Sequence, residues 1–515
     1  MPAKSITLRT ACVLFFTFTA VYQVSLVGDL VAWPSPELGD TPPARSLRLD
    51  TLFDSDTPHI LSDIVYAETS YKAKRHPLFL LYARTPSQIL VSLGLSPMRS
   101  VLLVTSTWAA LSVALAFLAF LRLGLSLGAA TAFSVVLGFS PALWLLASVP
   151  ETFGYNVAAI VLAFLLVNPK LAEPRRYPKR FALFALYAVL AVGATLPNAL
   201  YVAASFATSL LLAKTPLRHR IVSGLAMITA FAVLATAALW IQEGIHPDAK
   251  DHLAFAPNDH LKPRVIRFDR GWQPEYFAAQ VRTFLADSLM GRDPEMKLVR
   301  TTWGRADLIQ FEQGSRLYWV GIAAVGIFFV TSMLSGFMFG APAGSEAAEQ
   351  PVADALPQWP LVMAGFLILF NLVFHYFYRS HGQPLIYSTH TLFPILVVLS
   401  RAAIPGLKVP SIRMLGFMAF ALVIANNAAV VGQVQELLHR PCERWRPRMQ
   451  WTTPKHPLCA RWGPLETKGS QVWREAESDY ATAPNADGPL SITRPFSSSI
   501  KRRAPCSISV NARSS

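Results

Sequence analysis

The chain has 515 residues, of which 53% are hydrophobic and only 15% charged, and its formal net charge is +15. About a quarter of a soluble chain's residues are ordinarily charged, so the composition argues against a soluble fold and for a membrane protein. The excess positive charge sits in short clusters between apolar runs. It forms no basic and aromatic stripe, so nucleic acid is discounted as a partner.

From the N-terminus, Lys4 and Arg9 precede an apolar run from Thr10 to Val27 with no obvious small-x-small cleavage site after it. This predicts an uncleaved signal anchor with the N-terminus in the cytoplasm. The four cysteines do not make a disulfide-dense scaffold, and Cys12, inside this run, reads as a small buried hydrophobe. Further spans are predicted at Ser100–Leu121, Leu127–Ala147, Phe153–Val167, Phe181–Leu196, Ala199–Ala213 and Ile221–Ile241. Pro197-Asn198 should end one helix and open a hairpin of two spans. After a polar stretch come Leu317–Phe339, Leu361–Phe377, Thr391–Ala403 (extended backward by Leu385 and Ile386) and Met414–Val434. The expected fold is therefore an all-α integral membrane protein with about eleven transmembrane helices.

Loop charges orient it. Lys170, Arg175, Arg176, Lys179 and Arg180 follow the fourth span; Lys214, Arg218 and Arg220 follow the sixth; Arg401, Lys408 and Arg413 surround the turn after the tenth. With the N-terminus inside, all three clusters are cytoplasmic, as the positive-inside rule requires. Gly340–Gln358 is cytoplasmic too, although it holds Glu346, Glu349 and Asp354 and no Lys or Arg; acidic residues weigh little in that rule. Residues 1–434 then form the membrane domain, with outer loops 28–98 and 242–316. An outer tail, 435–476, contains Cys442 and Cys459 around Trp445, Arg446, Arg448 and Trp451. A bridge between these cysteines would add about 3 kcal/mol of stability. Residues 477–515, rich in Ser, Pro and Arg, have the composition of a disordered tail.

Ionisable residues are nearly absent from the cores of the spans and gather at the outer ends: Asp29, Asp54, Asp56, Asp63, Glu151, Glu243, His375, His381 and His390. Ion-coupled transporters commonly carry charges near the bilayer midplane, so a site at the outer boundary fits better. Three patterns stand out. Asp54-Ser55-Asp56-Thr57-Pro58-His59 pairs two carboxylates that can share a proton or a hydroxyl donor, or can cap a helix opening at Thr57-Pro58. Arg75-His76-Pro77-Leu78-Phe79-Leu80-Leu81-Tyr82 reads as an interfacial helix with His76 and Tyr82 at headgroup level. Ser148-Val149-Pro150-Glu151-Thr152-Phe153 is a tight outer turn, its carboxylate either complementing a helix dipole or serving substrate.

An anchor, an acidic first outer loop, a His-Pro-Leu run and many spans resemble the GT-C superfamily of membrane glycosyltransferases. That superfamily includes the protein O-mannosyltransferases, the lipid A aminoarabinose transferases and a bacterial group of oligosaccharide-modifying transferases. Pro141, the Pro150-Glu151 turn and the run Ile386-Tyr387-Ser388-Thr389-His390 before Phe393-Pro394 also look like it. The family's acidic motif lies close behind the first span, whereas Asp54 and Asp56 are about two dozen residues beyond it and Asp29 is nearer.

The resemblance implies transfer of a sugar from a polyprenyl-phosphate carrier to a glycan, lipid or protein acceptor at the outer face of the plasma membrane. Asp54 or Asp56 would be the general base. Glu151, His76, Tyr387 and His390 would contact substrate, and Arg264, Arg267 and Arg270 would stabilise the departing phosphate or else contact headgroups. No metal site is evident in the sequence, and the chemistry leaves room for a divalent cation. The alternatives are a flippase or transporter of lipid-linked sugars and a surface-polysaccharide polymerase or ligase.

Overall fold

The computed structural model describes residues 2–25, 64, 76–247, 273–301, 304–338, 358–377 and 385–439. Met1–Arg461 forms one compact unit; the second, Trp462–Ser515, lies outside the described residues, as do the predicted tail beyond His439, both of its cysteines, most of the loop 28–98 and residues 248–272 of the loop 242–316.

Every predicted span is helical. The helices are α1 (Pro2–Val24), α2 (Thr85–Ser92), α3 (Pro97–Arg122), α4 (Leu127–Gly138), α5 (Pro141–Ala147) and α6 (Phe153–Leu166). They continue with α7 (Pro178–Ala194), α8 (Ala199–Leu212), α9 (Leu217–Ile245), α10 (Pro274–Arg282), α11 (Arg316–Met338), α12 (Trp359–Phe377), α13 (Leu385–Leu407) and α14 (Pro410–His439). Among the described residues seven helices are long and apolar enough to cross a bilayer, or eight if α4 and α5, bent by 58°, form one span. α6 and the segment Leu196–Leu212 are apolar but shorter. The chain is thus a multi-pass helical membrane protein. One departure from an all-α fold among the described residues lies between α10 and α11, where β1 (Pro294–Thr301) pairs antiparallel with β2 (Gly304–Phe311), Pro294 opposite Phe311 and Thr301 opposite Gly304.

The long helices have the inverted surface of a membrane protein. On α9, Ile221, Val222, Leu225, Ile228, Val233 and Trp240 are exposed while Ser223 and Gln242 are buried. Hydrocarbon solvates the aliphatic face, and the small and polar residues turn inward to meet partners. The Ser223 hydroxyl donates to the Leu171 carbonyl at 2.6 Å, and Gln242 Nε2 donates to that of Pro77 at 2.7 Å. Cys12 follows the same rule: it is exposed on α1, a correction to its expected burial, because a thiol is apolar enough to face lipid.

Prolines break the helices, and donors from elsewhere in the chain satisfy the carbonyls they free. Pro197 ends α7 as expected, and the freed Gly193 carbonyl accepts the Leu78 amide at 2.9 Å. Pro394 lies inside α13; four residues earlier, the carbonyl of His390 accepts the Tyr201 hydroxyl at 2.9 Å. At the α4–α5 break the Asn427 side chain donates to the carbonyls of Phe139 (3.0 Å) and Leu289 (2.9 Å) and accepts the Gly291 amide at 3.0 Å. That residue joins the break to the segment entering the hairpin.

Glycine is required at Gly138, where the Phe18 ring occupies the space of a Cβ and the Tyr22 hydroxyl donates to the Gly138 carbonyl at 2.9 Å. Gly138→Ala should cost about 1–3 kcal/mol by overpacking, read as a lower melting temperature in detergent. Adding Phe18→Leu should recover part of the loss; a Gly138→Ala protein as stable as wild type would contradict this packing.

At one end of the bundle, arginines cap helix C-termini. Arg122 donates to the carbonyls of Leu165 and Val167, Arg220 to that of Ala213 at 2.7 Å, and Arg401 to that of Leu123 at 3.0 Å. Each cation sits against the negative end of a helix dipole. The opposite end is polar in a different way.

Candidate functional site

At that opposite end, the turn before α6 is the hub. Glu151 is buried at 3% exposure, and its Oε2 accepts the Thr152 amide at 3.0 Å. Two residues on, Phe153 meets the imidazole of His390 edge-on at 6.4 Å. The His390 ring lies nearly parallel to that of His375 (5.7 Å, 11°) and to Tyr201 (6.4 Å, 28°), and His375 stacks on Tyr387 at 4.6 Å. Tyr387 and His390 therefore form one nest with His375 and Tyr201, and Phe153 joins it to the turn that bears Glu151.

Local structure fixes His390. Tyr201 holds its backbone carbonyl, and Asn371 Nδ2 donates to the Tyr201 hydroxyl at 2.7 Å. Both ring nitrogens are buried and make no well-formed hydrogen bond among the described residues; the Tyr387 backbone is their polar neighbour. A buried imidazole whose hydrogen bonds are poorly met costs about 1–3 kcal/mol, so this ring is the least satisfied polar group of the nest.

A second cluster lies on the other side of the same hub. Tyr155 packs against Tyr82 (5.1 Å), Trp108 (5.2 Å) and Phe79 (6.2 Å), and Trp108 Nε1 donates to the Tyr82 carbonyl at 3.3 Å. Burial, with Tyr155 alongside, holds the Tyr82 phenol well above its ordinary pKa of 10.0, so it stays neutral. Tyr82 and Arg84 sit on a π-helical turn, Leu80–Arg84, and Arg84 is itself buried. Such turns are often found at functional sites.

The segment expected as an interfacial helix is helical from Phe79 and packs against the bundle, with His76 just ahead of it. The run from His76 to Leu80 is buried, and His76 Nδ1 donates to the Ala194 carbonyl at 2.6 Å. The physical reason is the end of α7: its last carbonyls need donors, and His76 and the Leu78 amide supply them. His76 therefore closes a helix end beside the aromatic cluster. Asp54, Asp56, Asp29, Arg264, Arg267, Arg270, Asp63 and His381 lie outside the described residues.

The segment between α9 and α11 supplies a charged pair that the sequence patterns above do not single out. A second π-helical turn, Thr283–Asp287, carries Phe284 against His375 at 5.6 Å and a fully buried Asp287. Arg292 Nη2 meets Asp287 Oδ2 at 2.9 Å, Tyr318 donates to Oδ1 at 3.0 Å, and Arg292 also donates to the Glu312 carbonyl. The signal available in sequence is an acid inside an apolar stretch, Phe284-Leu285-Ala286-Asp287-Ser288-Leu289-Met290, which demands a buried partner. Among the described residues no three His, Cys, Asp or Glu side chains converge as metal ligands.

Fold and site together define a multi-pass helical membrane protein with a buried polar and aromatic nest at one end of its bundle. No protein-family model, no curated protein and no solved structure matches this chain.

Proposed function

We propose that this chain is a GT-C-like membrane glycosyltransferase, moving a sugar from a polyprenyl-phosphate carrier to an envelope glycan, lipid or protein acceptor. The observation that carries the reading is the buried imidazole of His390, without a well-formed hydrogen bond, in a nest with Tyr387 and His375, next to the turn that bears Glu151. Sugar hydroxyls both donate and accept, and aromatic faces beside them suit the apolar face of a sugar ring. Asp54 or Asp56 would take the proton of the acceptor hydroxyl, and the buried Arg84 is a further cation that would favour the departing phosphate diester.

The nest sits at the end opposite the arginine caps, so the positive-inside rule puts it at the outer face of the plasma membrane with the N-terminus in the cytoplasm. Counting each helical segment predicted from the sequence as a crossing, including the short ones, makes eleven spans and an outer C-terminal tail. In intact cells, cysteines introduced at Asp259 and Gly469 should react with an impermeant maleimide, while one at Arg176 should be protected. Labelling at Arg176 would invert or renumber the topology.

The function is tested by mass spectrometry of envelope glycans from a deletion strain. One sugar or sugar-derived decoration should disappear and return on complementation. His390→Ala should restore about 10- to 100-fold less transfer than wild type, the loss expected for one hydrogen bond to a buried group. A glycan profile unchanged by the deletion would sink the proposal.

A further inference from the structure

At the basic end of the bundle, α4, α11 and the α13–α14 turn enclose a groove of about 510 Å³, within the range of roughly 300–1,000 Å³ typical of ligand sites. Its floor is aromatic: Phe420 packs against Phe133 at 5.0 Å and Phe328 at 5.9 Å. Its wall on α14 is Met414 and Phe417, which are 61% and 51% exposed. A trough so lined, on helices whose outward faces are aliphatic, is filled by hydrocarbon and not by water.

The same groove has one cation on its rim. Arg413 lines it from the first turn of α14 and is exposed. Its guanidinium makes no hydrogen bond or ion pair among the described residues. This contrasts with Arg122, Arg220 and Arg401, each spent on backbone carbonyls. Lys408, also exposed, lies in the adjoining turn. An unpaired guanidinium at the end of a span, above an apolar trough, complements a phosphate with a chain attached. Basic pockets between transmembrane helices on the cytoplasmic side recognise anionic headgroups in this way.

We propose that this groove seats one acyl chain of an anionic glycerophospholipid whose phosphate is held by Arg413. The site is separate from the buried nest at the other end and does not depend on the reaction proposed there. The full-length protein, purified in detergent, is titrated with phosphatidylglycerol or phosphatidylcholine of identical acyl chains and weighed by native mass spectrometry.

Wild type should retain one phosphatidylglycerol with about fivefold preference over phosphatidylcholine, the effect expected of one basic residue at the membrane surface. Arg413→Ala should abolish the preference and Arg413→Lys should keep most of it. Gly128→Phe fills the groove from α4, where a Cβ meets nothing within 4 Å, and should weaken retention of both lipids. Equal retention of the two lipids by wild type would overturn the proposal. So would a preference that survives Arg413→Ala, or a Gly128→Phe protein that holds both lipids as wild type does.

Discussion

Replacing Asp287 by alanine should destabilise the protein by about 3–5 kcal/mol, because it strands the Arg292 charge in a buried site. The carboxylate is fully buried and accepts from Arg292 Nη2 at 2.9 Å, Tyr318 at 3.0 Å and Thr283 at 3.3 Å. Through these contacts it fastens the π-helical turn to α11 and to the start of the hairpin. The turn in turn presses Phe284 against His375, so loosening it disturbs the nest as well as the fold. Thermal unfolding in detergent measures the loss. The double variant Asp287→Leu/Arg292→Met removes both charges and should recover much of it, since apolar replacement of a buried pair is often close to neutral. Equal instability of the single and double variants would show that the ion pair is not what holds the segment.

The largest effect on activity is expected from the first outer loop. If the chain is a polyprenyl-phosphate-sugar transferase, Asp56→Asn or Asp54→Asn should lower transfer by about 10²–10⁴, the usual contribution of a general base. Asparagine keeps the size and removes both the proton acceptor and the negative charge that would stabilise a developing oxocarbenium ion. Asp56 is the stronger choice, because Thr57-Pro58 directly after it restrains its backbone. Glu151→Gln separates two roles. A carboxylate that only complements the α6 dipole would lose about 0.3–1 kcal/mol of stability with transfer intact. One that binds substrate beside His390 would lose transfer with little change in stability, and this is the outcome expected from its place two residues before Phe153. Normal transfer in both Asn variants would discard the assignment and make Asp29 the next residue to replace.

Helix positions were legible because they depend on local physics. An apolar run near twenty residues, ended by charge or proline, has no satisfactory state in hydrocarbon other than a helix. The Pro197-Asn198 hairpin and the backward extension of α13 to Leu385 follow from that. The gathering of Glu151, His375 and His390 at one end also follows, since crossing a bilayer alternately sorts loop ends into two sets.

Which side chains pair across those ends depends on sequence-distant partners, and only the tertiary structure decided it. His76 looked like a headgroup-level histidine from its own neighbours; the unmet carbonyls at the end of α7, 118 residues away, draw it inside. Asp287 belongs to none of the sequence patterns, and only the fold shows that Arg292 and Tyr318 close over it. A proline at 394 frees the carbonyl of His390, but nothing in the sequence says that Tyr201 takes it. By itself the sequence determined that the chain crosses the bilayer repeatedly and where its helices lie, because burying unpaired backbone in lipid is prohibitive at every position. The tertiary structure alone decided which polar groups spend their hydrogen bonds on holding the bundle and which, like the His390 imidazole, are buried without a well-formed one.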